Sequence, residues 1–527
     1  MADDWKFVID QWANQITLPK RRVLIAVLLY AMGHPEEARD LYNEAKKDYR
    51  TIGARAELAA TLQHQAIIER RRGNADEAKK LLKESLQTFE ELRFRPGIAD
   101  TVAELAHIER DAGNNDKAFR LYDRVREIYQ ALRDEPRRAA ALQSMAIIEK
   151  KRGRHDLARQ LCNEARSVFE KSGKLLELAN TLGLMADIEQ QTGNYGEARN
   201  LYNQARGILE KLQNQPGIAA ILHRWGMMEH RARKYDEAKQ LYNESLEIRR
   251  SLGDQSAIAA TVAQLAMIEK HRGNYDESSR RWAEAKGIYE KLSEPAGLAG
   301  TLHNLALVER IRGNYDEAEK MYRQSLEMKR RLEDRAGEAS TLHELANLEL
   351  LRGNYDEAEK LYKACLETRK SLGDKAGIAQ TLHGLGMIEY RRGGLEQAQE
   401  LYKQSLEIRR ELGDEEGISS MLHNIAAIER KKGHHIEAER LCRESLEKRR
   451  KLGDQRGVAQ SLALLGALSE EAGRLNEAGS LVSEAQEIFR RIGDRPGEGE
   501  ASRHLNRIRE KLKANKTTRG SAGHYKS

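Results

Sequence analysis

Residues 374–413 read DKAGIAQTLHGLGMIEYRRGGLEQAQELYKQSLEIRRELG, and this stretch decides the fold. Asp374 is a good helix cap, and apolar residues recur after it at helical spacing. These apolar residues are Ile378, Leu382, Leu385 and Ile388. Gly393 can adopt a positive φ angle, which is how many helices end. The stretch therefore begins with an amphipathic helix and a tight turn.

A second helix follows each such turn. In the preceding copy, Asn354 and Glu357 resemble a capping box that opens this helix, which ends near Gly373. Its inward positions are Ala358, Leu361, Tyr362, Cys365 and Leu366. Each copy is therefore predicted to be a pair of helices joined by a short turn.

The unit recurs with a period of 40 residues and no insertion or deletion, which predicts twelve copies. Counting in steps of 40 from residue 33 to residue 473 gives twelve positions, which we call grid positions. Arg233 occupies one of them, and glycine occupies the other eleven. These glycines are Gly33, Gly73, Gly113, Gly153, Gly193, Gly273, Gly313, Gly353, Gly393, Gly433 and Gly473. Small residues lie seven positions before and five after the grid positions, and Tyr is common nine after them. Small residues let two helices approach closely, and a large ring fills the gap beside them.

One copy carries the pattern Leu382-x-x-Leu385-Gly386 and then Gly393, Ala398, Tyr402 and Ser405. This pattern resembles the tetratricopeptide repeat. The segment Leu-Gly-Asp-Lys-Ala-Gly at 372–377 is similar to the longer-period version, found in G-protein-signalling modulator adaptors and bacterial multi-repeat regulators. The resemblance covers nearly the whole chain. It implies an all-α fold, a right-handed superhelical solenoid of antiparallel helix pairs.

One position of the repeat, four residues before each grid position, departs from the common repeat, which often has an aromatic residue there. This chain has glutamate instead, and we favour a structural role for it over a functional one. We call the residues at one such position in successive repeats a column. The glutamates are Glu69, Glu109, Glu149, Glu189, Glu229, Glu269, Glu309, Glu349, Glu389 and Glu429.

The two ends depart from the repeat, as the ends of a solenoid must. We predict an N-terminal capping helix at 1–17, twelve repeats at 18–497 and a C-terminal capping helix at 498–513. Residues 514–527 are polar and basic, and we predict a disordered tail there.

Bulk composition and missing motifs exclude several classes of protein. The mean hydropathy of −0.74 argues against a membrane span, and the net charge of +7 is small for 527 residues. Cys162, Cys365 and Cys442 have no disulfide or zinc spacing, which favours reduced thiols and a cytoplasmic location. The chain has no phosphate-binding loop, His-Glu-x-x-His motif or nucleophile elbow, so we expect no enzyme activity and no cofactor.

The resemblance implies that the first helix of each pair lines the concave face. The predicted peptide-binding groove on that face has His, apolar and basic positions in successive helices. Its residues are His223, Met227, His303, Leu307, Arg310, His343, Asn347, His383, Met387, Tyr390, Arg391, His423 and Arg430. Such a surface suits a peptide with acidic and apolar side chains.

Each part of this groove has a simpler explanation. Duplication could have copied the histidines without a ligand, and basic residues near helix C-termini also favour the helix dipole. We expect no metal, because neighbouring first helices lie about 10 Å apart and zinc needs its ligands about 2 Å from one ion.

These observations favour a non-enzymatic protein- or peptide-binding scaffold, with oligomeric state and partner left open. The first alternative is a helical-repeat protein that binds single-stranded RNA, which is disfavoured because Tyr390 is nearly alone as a groove aromatic. The second is a regulatory array that acts on a partner enzyme or transcription factor. Binding of a chaperone C-terminus is disfavoured: His343 and Asn347 begin the required clamp, but Gly384 replaces the next Asn.

Overall fold

The computed structural model describes residues 17–32 and 34–522, and this part consists of helices joined by short turns, without a strand. Consecutive helices pack in pairs, so the predicted all-α array of helix pairs is confirmed. The chain divides into two compact units between Asp254 and Gln255.

The first unit, as far as it is described (residues 17–32 and 34–254), contains six helix pairs. Its helices are α1 (Leu18–Ala31), α2 (Pro35–Ile52), α3 (Arg55–Arg71), α4 (Ala75–Glu91), α5 (Arg95–Asp111), α6 (Asn115–Ala131), α7 (Glu135–Lys151), α8 (His155–Lys171), α9 (Leu175–Gln191), α10 (Tyr195–Lys211), α11 (Gln215–Arg231) and α12 (Tyr235–Leu252). Odd-numbered helices are the first members of their pairs throughout the chain.

Residues 255–522, the described part of the second unit, form six further pairs and one closing helix. Its helices are α13 (Gln255–His271), α14 (Tyr275–Leu292), α15 (Pro295–Arg312), α16 (Tyr315–Arg331), α17 (Arg335–Arg352), α18 (Tyr355–Leu372), α19 (Lys375–Arg392), α20 (Leu395–Leu412), α21 (Glu415–Lys431), α22 (His435–Leu452), α23 (Gln455–Glu471), α24 (Leu475–Arg491) and α25 (Arg495–Ala522).

The turns that follow the first helices from α3 to α23 depend on a left-handed residue. At the end of α15, Gly313 has a φ of 86°, and its N–H donates to the Arg310 carbonyl at 3.2 Å. The next N–H, of Asn314, donates to the Glu309 carbonyl at 2.9 Å. These two bonds satisfy carbonyls that the helix end would otherwise leave unpaired. The predicted glycine period is thus a period of left-handed turns.

The core of each pair lies between its two helices. Tyr322 and Tyr362 are fully buried there, beside alanines that allow close approach. Ser325 Oγ donates to the Ala299 carbonyl at 2.8 Å, which fixes the second helix of that pair on the first. Cys365 occupies the equivalent position and donates to the Ala339 carbonyl at 3.2 Å. All three cysteines are buried and free, as expected of core residues.

One predicted helix cap is present and another is absent. Asp374 accepts a hydrogen bond from the Gly377 N–H at 2.9 Å, so this predicted cap is confirmed. The capping box predicted for Asn354 and Glu357 is wrong, because the Asn354 side chain caps no backbone N–H. Its amide donates instead to Glu349 Oε2 at 2.7 Å. A buried carboxylate competes for the amide here, and a capping pattern alone does not reveal that competitor.

The chain ends differ from their predictions. The N-terminal capping helix predicted at 1–17 falls on residues outside the described ones, apart from Thr17 just before α1. The last helix runs Arg495–Ala522, so the boundaries 498–513 are too narrow. Its backbone thus includes residues 514–522 of the tail predicted at 514–527, whose disorder stays a prediction. Residues 523–527 lie outside the described part.

Among the described residues, every helix is either too short or too polar to cross a lipid bilayer.

Candidate peptide-binding groove

The first helices carry the predicted groove residues at matching positions. His223 and Met227 lie on α11 of the first unit, and the others lie on α15, α17, α19 and α21 of the second unit. Arg391 is exposed, and the rest are half-buried. Since half-buried side chains both pack and face solvent, the contacts of each one must be considered separately.

The histidines pack on tyrosines of their own helix pairs. Ring centroids lie 5.6 Å apart for His303 and Tyr322, and 5.4 Å apart for His343 and Tyr362. Equivalent pairs are His223–Tyr242 at 5.2 Å and His383–Tyr402 at 5.7 Å. The histidine column therefore has a packing role, whether or not it also meets a ligand.

Burial keeps these histidines neutral. Desolvation, with a smaller effect from the nearby Arg369 guanidinium, lowers the pKa of His343 to about 4. Desolvation likewise lowers the pKa of His423 to about 3, with a smaller effect from Arg449. At neutral pH the column therefore presents uncharged imidazoles, which suits hydrogen bonding or apolar packing better than ion pairing.

Polar groups on α15 and α17 are used within the protein. His303 Nδ1 lies 3.1 Å from Thr341 Oγ1, and Arg310 pairs with Glu344 at 3.2 Å. The Tyr362 hydroxyl donates to Asn347 Oδ1. These predicted site residues bridge neighbouring helices, so this part of the first-helix surface has fewer polar groups available to a ligand. Leu307 remains there as a half-buried apolar side chain.

Five predicted residues come together in one opening, which we call the C-terminal groove. It lies between α19, α21, α23 and α25, and its volume is about 620 Å³. That volume is within the roughly 300–1,000 Å³ range of ligand-binding pockets. The five residues are His383, Met387, Tyr390, Arg391 and His423.

Helices α23 and α25 supply lining residues that sequence reasoning missed. These residues include Ala463, Leu464, Glu500, Ala501 and His504. One signal was visible, because Ala463 stands at the position where the four preceding repeats have histidine. A small residue in a column of large ones leaves space beside its neighbours.

The two edges of the groove differ in charge. The basic rim consists of Arg391, Arg430 and Lys431 at the C-terminal ends of α19 and α21. Arg430 pairs with Glu471 at 2.7 Å, and Lys431 Nζ lies 4.0 Å from the centre of the Tyr390 ring.

The polar rim consists of Ser420, Gln460 and Glu500, which line the groove near the N-terminal ends of α21, α23 and α25. Ser420 precedes Lys431 by eleven residues on α21, which is about 16 Å along a helix. A ligand lying across the helices would therefore meet cations along one edge and neutral or acidic groups along the other.

Arg391 is the cation most available to a ligand. Its side chain is exposed, and no carboxylate of the described residues lies within 4 Å of it. The neighbouring Arg392, by contrast, pairs with Asp356 and Glu359. An adjacent depression of about 530 Å³ is lined by Glu500, Arg503 and Arg507, of which Arg507 pairs with Glu470 at 2.9 Å.

The glutamate column is structural, as we favoured. Glu309 accepts hydrogen bonds from Ser279 of the preceding pair at 2.6 Å, from Asn314 at 2.6 Å and from Arg312 at 2.9 Å. Burial opposes ionisation of Glu309, but these donors outweigh it and hold the pKa below its ordinary value. Glu229 makes a similar link, accepting from Arg199 of the preceding pair at 2.6 Å. The column thus joins consecutive repeats at their turns.

The described residues contain no cluster of three histidine, cysteine, aspartate or glutamate side chains that could hold a metal ion.

The repeat now identifies the class of protein. A family model of the tetratricopeptide repeat matches residues 21–91, 97–171, 137–211, 257–331, 337–411 and 417–491. These matches cover well over half of the chain, so the chain belongs to the tetratricopeptide-repeat family.

Several solved structures are similar in fold. BtubC (BKLC) from P. vanneervenii has 20% identity and a TM-score of 0.38, and the match covers 43% of this chain and 92% of that one. The signal transduction ATPase PH0952 from Pyrococcus horikoshii, with a tetratricopeptide repeat sensor, has 16% identity and a TM-score of 0.48. That match covers 64% of this chain and 53% of PH0952.

The APC/C hetero-tetramer Cut9-Hcn1 has 14% identity and a TM-score of 0.43, and the match covers 95% of this chain and 92% of that chain. The comparison with curated proteins gave no match.

Proposed function

We propose that this protein is a non-enzymatic scaffold that binds a protein segment with acidic and apolar side chains in the C-terminal groove. The observation that carries the proposal is the convergence of Met387, Tyr390 and Arg391 with His383 and His423 in one open groove. Preformed helices reduce the ordering cost of binding. A regulatory role would act through the same contact, because it also requires a bound partner.

The charges of the groove favour an acidic partner. Arg391 has no carboxylate of the described residues within ion-pair distance, and Lys431 stands beside it on the basic rim. A partner carboxylate at this edge would gain attraction without displacing an existing ion pair of Arg391. Apolar side chains of the partner would meet Met387, Leu464 and Ala501 inside the groove.

The same geometry argues against single-stranded RNA. Binding of bases without sequence preference uses open aromatic faces as stacking platforms. Lys431 lies over the Tyr390 ring at 4.0 Å, and the rings of Tyr402 and Phe489 belong to the buried core. The groove therefore offers cations without the stacking surfaces that RNA requires.

Selection of random peptides displayed on phage, with the purified protein as bait, tests the proposal. We expect enrichment of peptides that contain Asp or Glu together with apolar residues. Arg391→Glu combined with Lys431→Glu should weaken their binding at least about tenfold, since each opposed charge becomes a repulsion. The matched control, Lys320→Glu with Lys403→Glu, makes the same charge change at exposed positions of α16 and α20 and should bind normally.

Two outcomes contradict the proposal. One is the absence of any enriched peptide, and the other is equal binding by the two double variants. A filter-binding titration with a single-stranded RNA completes the test. Tight RNA binding that falls steeply with salt, and that is lost in Arg391→Glu with Lys431→Glu, would assign the groove to nucleic acid instead.

We also propose a cytoplasmic location, which the three buried free thiols support because reducing compartments preserve such thiols. Fractionation of the source cells tests this, and recovery with secreted protein would contradict it.

A further inference from the structure

The C-terminal groove exists because two columns of large side chains end in alanine. Ten residues before each grid position the second unit has Ala263, four histidines and then Ala463. The four histidines are His303, His343, His383 and His423. The column six residues before each grid position also changes from large to small side chains in successive repeats. It reads Met267, Leu307, Asn347, Met387, Ala427 and Ala467. The three small side chains are Ala427 on α21 and Ala463 and Ala467 on α23.

These alanines leave space above an apolar floor. Ala427 and Ala463 both line the groove, together with Met387, Leu464 and Phe489. Ala463 and Ala467 also line the neighbouring depression beside Arg503. A histidine at position 463 or a methionine at position 427 would project into this space, as the equivalent side chains do in earlier repeats.

The surroundings determine what the space can accept. Its floor at Met387, Leu464 and Phe489 is apolar, so an apolar side chain inserted there would be removed from water against apolar neighbours. Arg391 stands at the basic rim and Arg503 in the adjacent depression, and no carboxylate of the described residues lies within ion-pair distance of either side chain. The side chains flanking the inserted residue would therefore gain from being acidic.

We propose that Ala427 and Ala463 form an anchor pocket for one bulky apolar side chain of an acidic peptide. The inference rests on the proposed function and specifies its ligand: a segment with a large aliphatic or aromatic residue flanked by Asp or Glu. The anchor fills the space above Leu464 and Phe489, and its acidic neighbours face Arg391 and Lys431.

Filling the pocket tests the proposal without removing a charge. Ala463→His and Ala427→Met install the residues that earlier repeats carry in the same columns, so the fold tolerates both side-chain types there. Ala263→His makes the same substitution in the same column on α13, outside the groove, and is the matched control. Circular dichroism and thermal melting establish that all three variants are folded.

The phage-displayed random peptides are selected separately on the wild type and on each variant. We expect one bulky apolar residue among acidic ones in the peptides selected by the wild type and by Ala263→His. Fluorescence titration then measures the affinity of the best peptide for each protein. Ala463→His and Ala427→Met should each weaken its binding about tenfold or more. Replacing the peptide's anchor by alanine should weaken binding to the wild type but add little to the loss in the filled variants.

The possible failures are distinguishable. Peptides without a bulky residue, or undiminished binding by both filled variants, would overturn the anchor pocket. If Arg391→Glu with Lys431→Glu still weakened binding in that case, the proposed function would stand without the pocket. If no peptide were enriched at all, both proposals would fail.

Discussion

Arg233 occupies a turn position that glycine holds in the other repeats. Its φ is 60°, in the left-handed region where a side chain costs about 1–2 kcal/mol. The side chain is exposed, and among the described residues no hydrogen bond or ion pair of it is found to offset that cost. The strain that the glycine period predicts at this turn is therefore present.

Replacing this arginine by glycine should stabilise the protein. We expect Arg233→Gly to raise the free energy of unfolding by about 1 kcal/mol, because glycine adopts the left-handed conformation without a Cβ clash. Urea unfolding followed by circular dichroism measures the change. Arg233→Ala is the control, since it keeps the Cβ and should change little. A glycine variant less stable than the wild type would contradict the strain at this turn.

Glu309 makes a different residue-scale contribution, because it is buried and joins two repeats. We expect Glu309→Ala to lower the free energy of unfolding by about 2 kcal/mol, since it removes a buried carboxylate that accepts hydrogen bonds from Ser279 and Arg312. The control Glu327→Ala breaks only a surface pair with Arg331 and should cost less than about 0.5 kcal/mol. Equal losses in urea unfolding would show that the glutamate column is not structural.

At the scale of one helix pair, burial couples stability to pH through the histidines. His343 packs on Tyr362, and Arg369, His383 and Arg310 also face it. Its folded pKa is about 4, whereas an unfolded histidine has a pKa of about 6.5. Between these values the unfolded state binds the proton more readily, so stability falls as pH falls from about 6.5 to about 4.

Removing the titrating ring should flatten this dependence. We expect His343→Leu to reduce the slope of unfolding free energy by up to about 1.4 kcal/mol per pH unit between pH 6.5 and 5. Denaturant unfolding at several pH values measures the slope. Ser340→Leu, at an exposed position of the same helix, removes no titratable group and should leave the slope as in the wild type. An unchanged slope in the first variant would mean that His343 is already charged in the folded protein.

The helix pairs were more predictable than the groove. Gly393, Tyr402 and the cap Asp374 recur at fixed spacing, and local backbone rules act on them directly. The groove depends on a small side chain in place of a large one, because Ala463 follows four histidines in its column. Helix α25 closes the space beside it. Which polar residues stay open to a ligand was also hidden, since pairs such as Arg310–Glu344 form between neighbouring helices.

At the scale of the molecule, the candidate site belongs wholly to one compact unit. Its walls are first helices between α19 and α25, and repeat arrays hold together through contacts between neighbours. We therefore expect residues 255–527, expressed alone, to stay helical and to bind the selected peptides within about threefold of the full chain. Residues 1–254 should not bind them. Fluorescence titration decides, and binding by the first unit alone would place the site elsewhere.

The most direct test of the central claim is to locate a bound peptide. A selected acidic peptide carries a benzophenone group in place of its bulky residue, is irradiated on the full-length protein and is mapped by mass spectrometry. The C-terminal groove predicts adducts on α19, α21, α23 and α25, with Met387 prominent among them. Adducts confined to the second helices, such as α20 and α22, or to the first unit would contradict the assignment of this groove as the binding site.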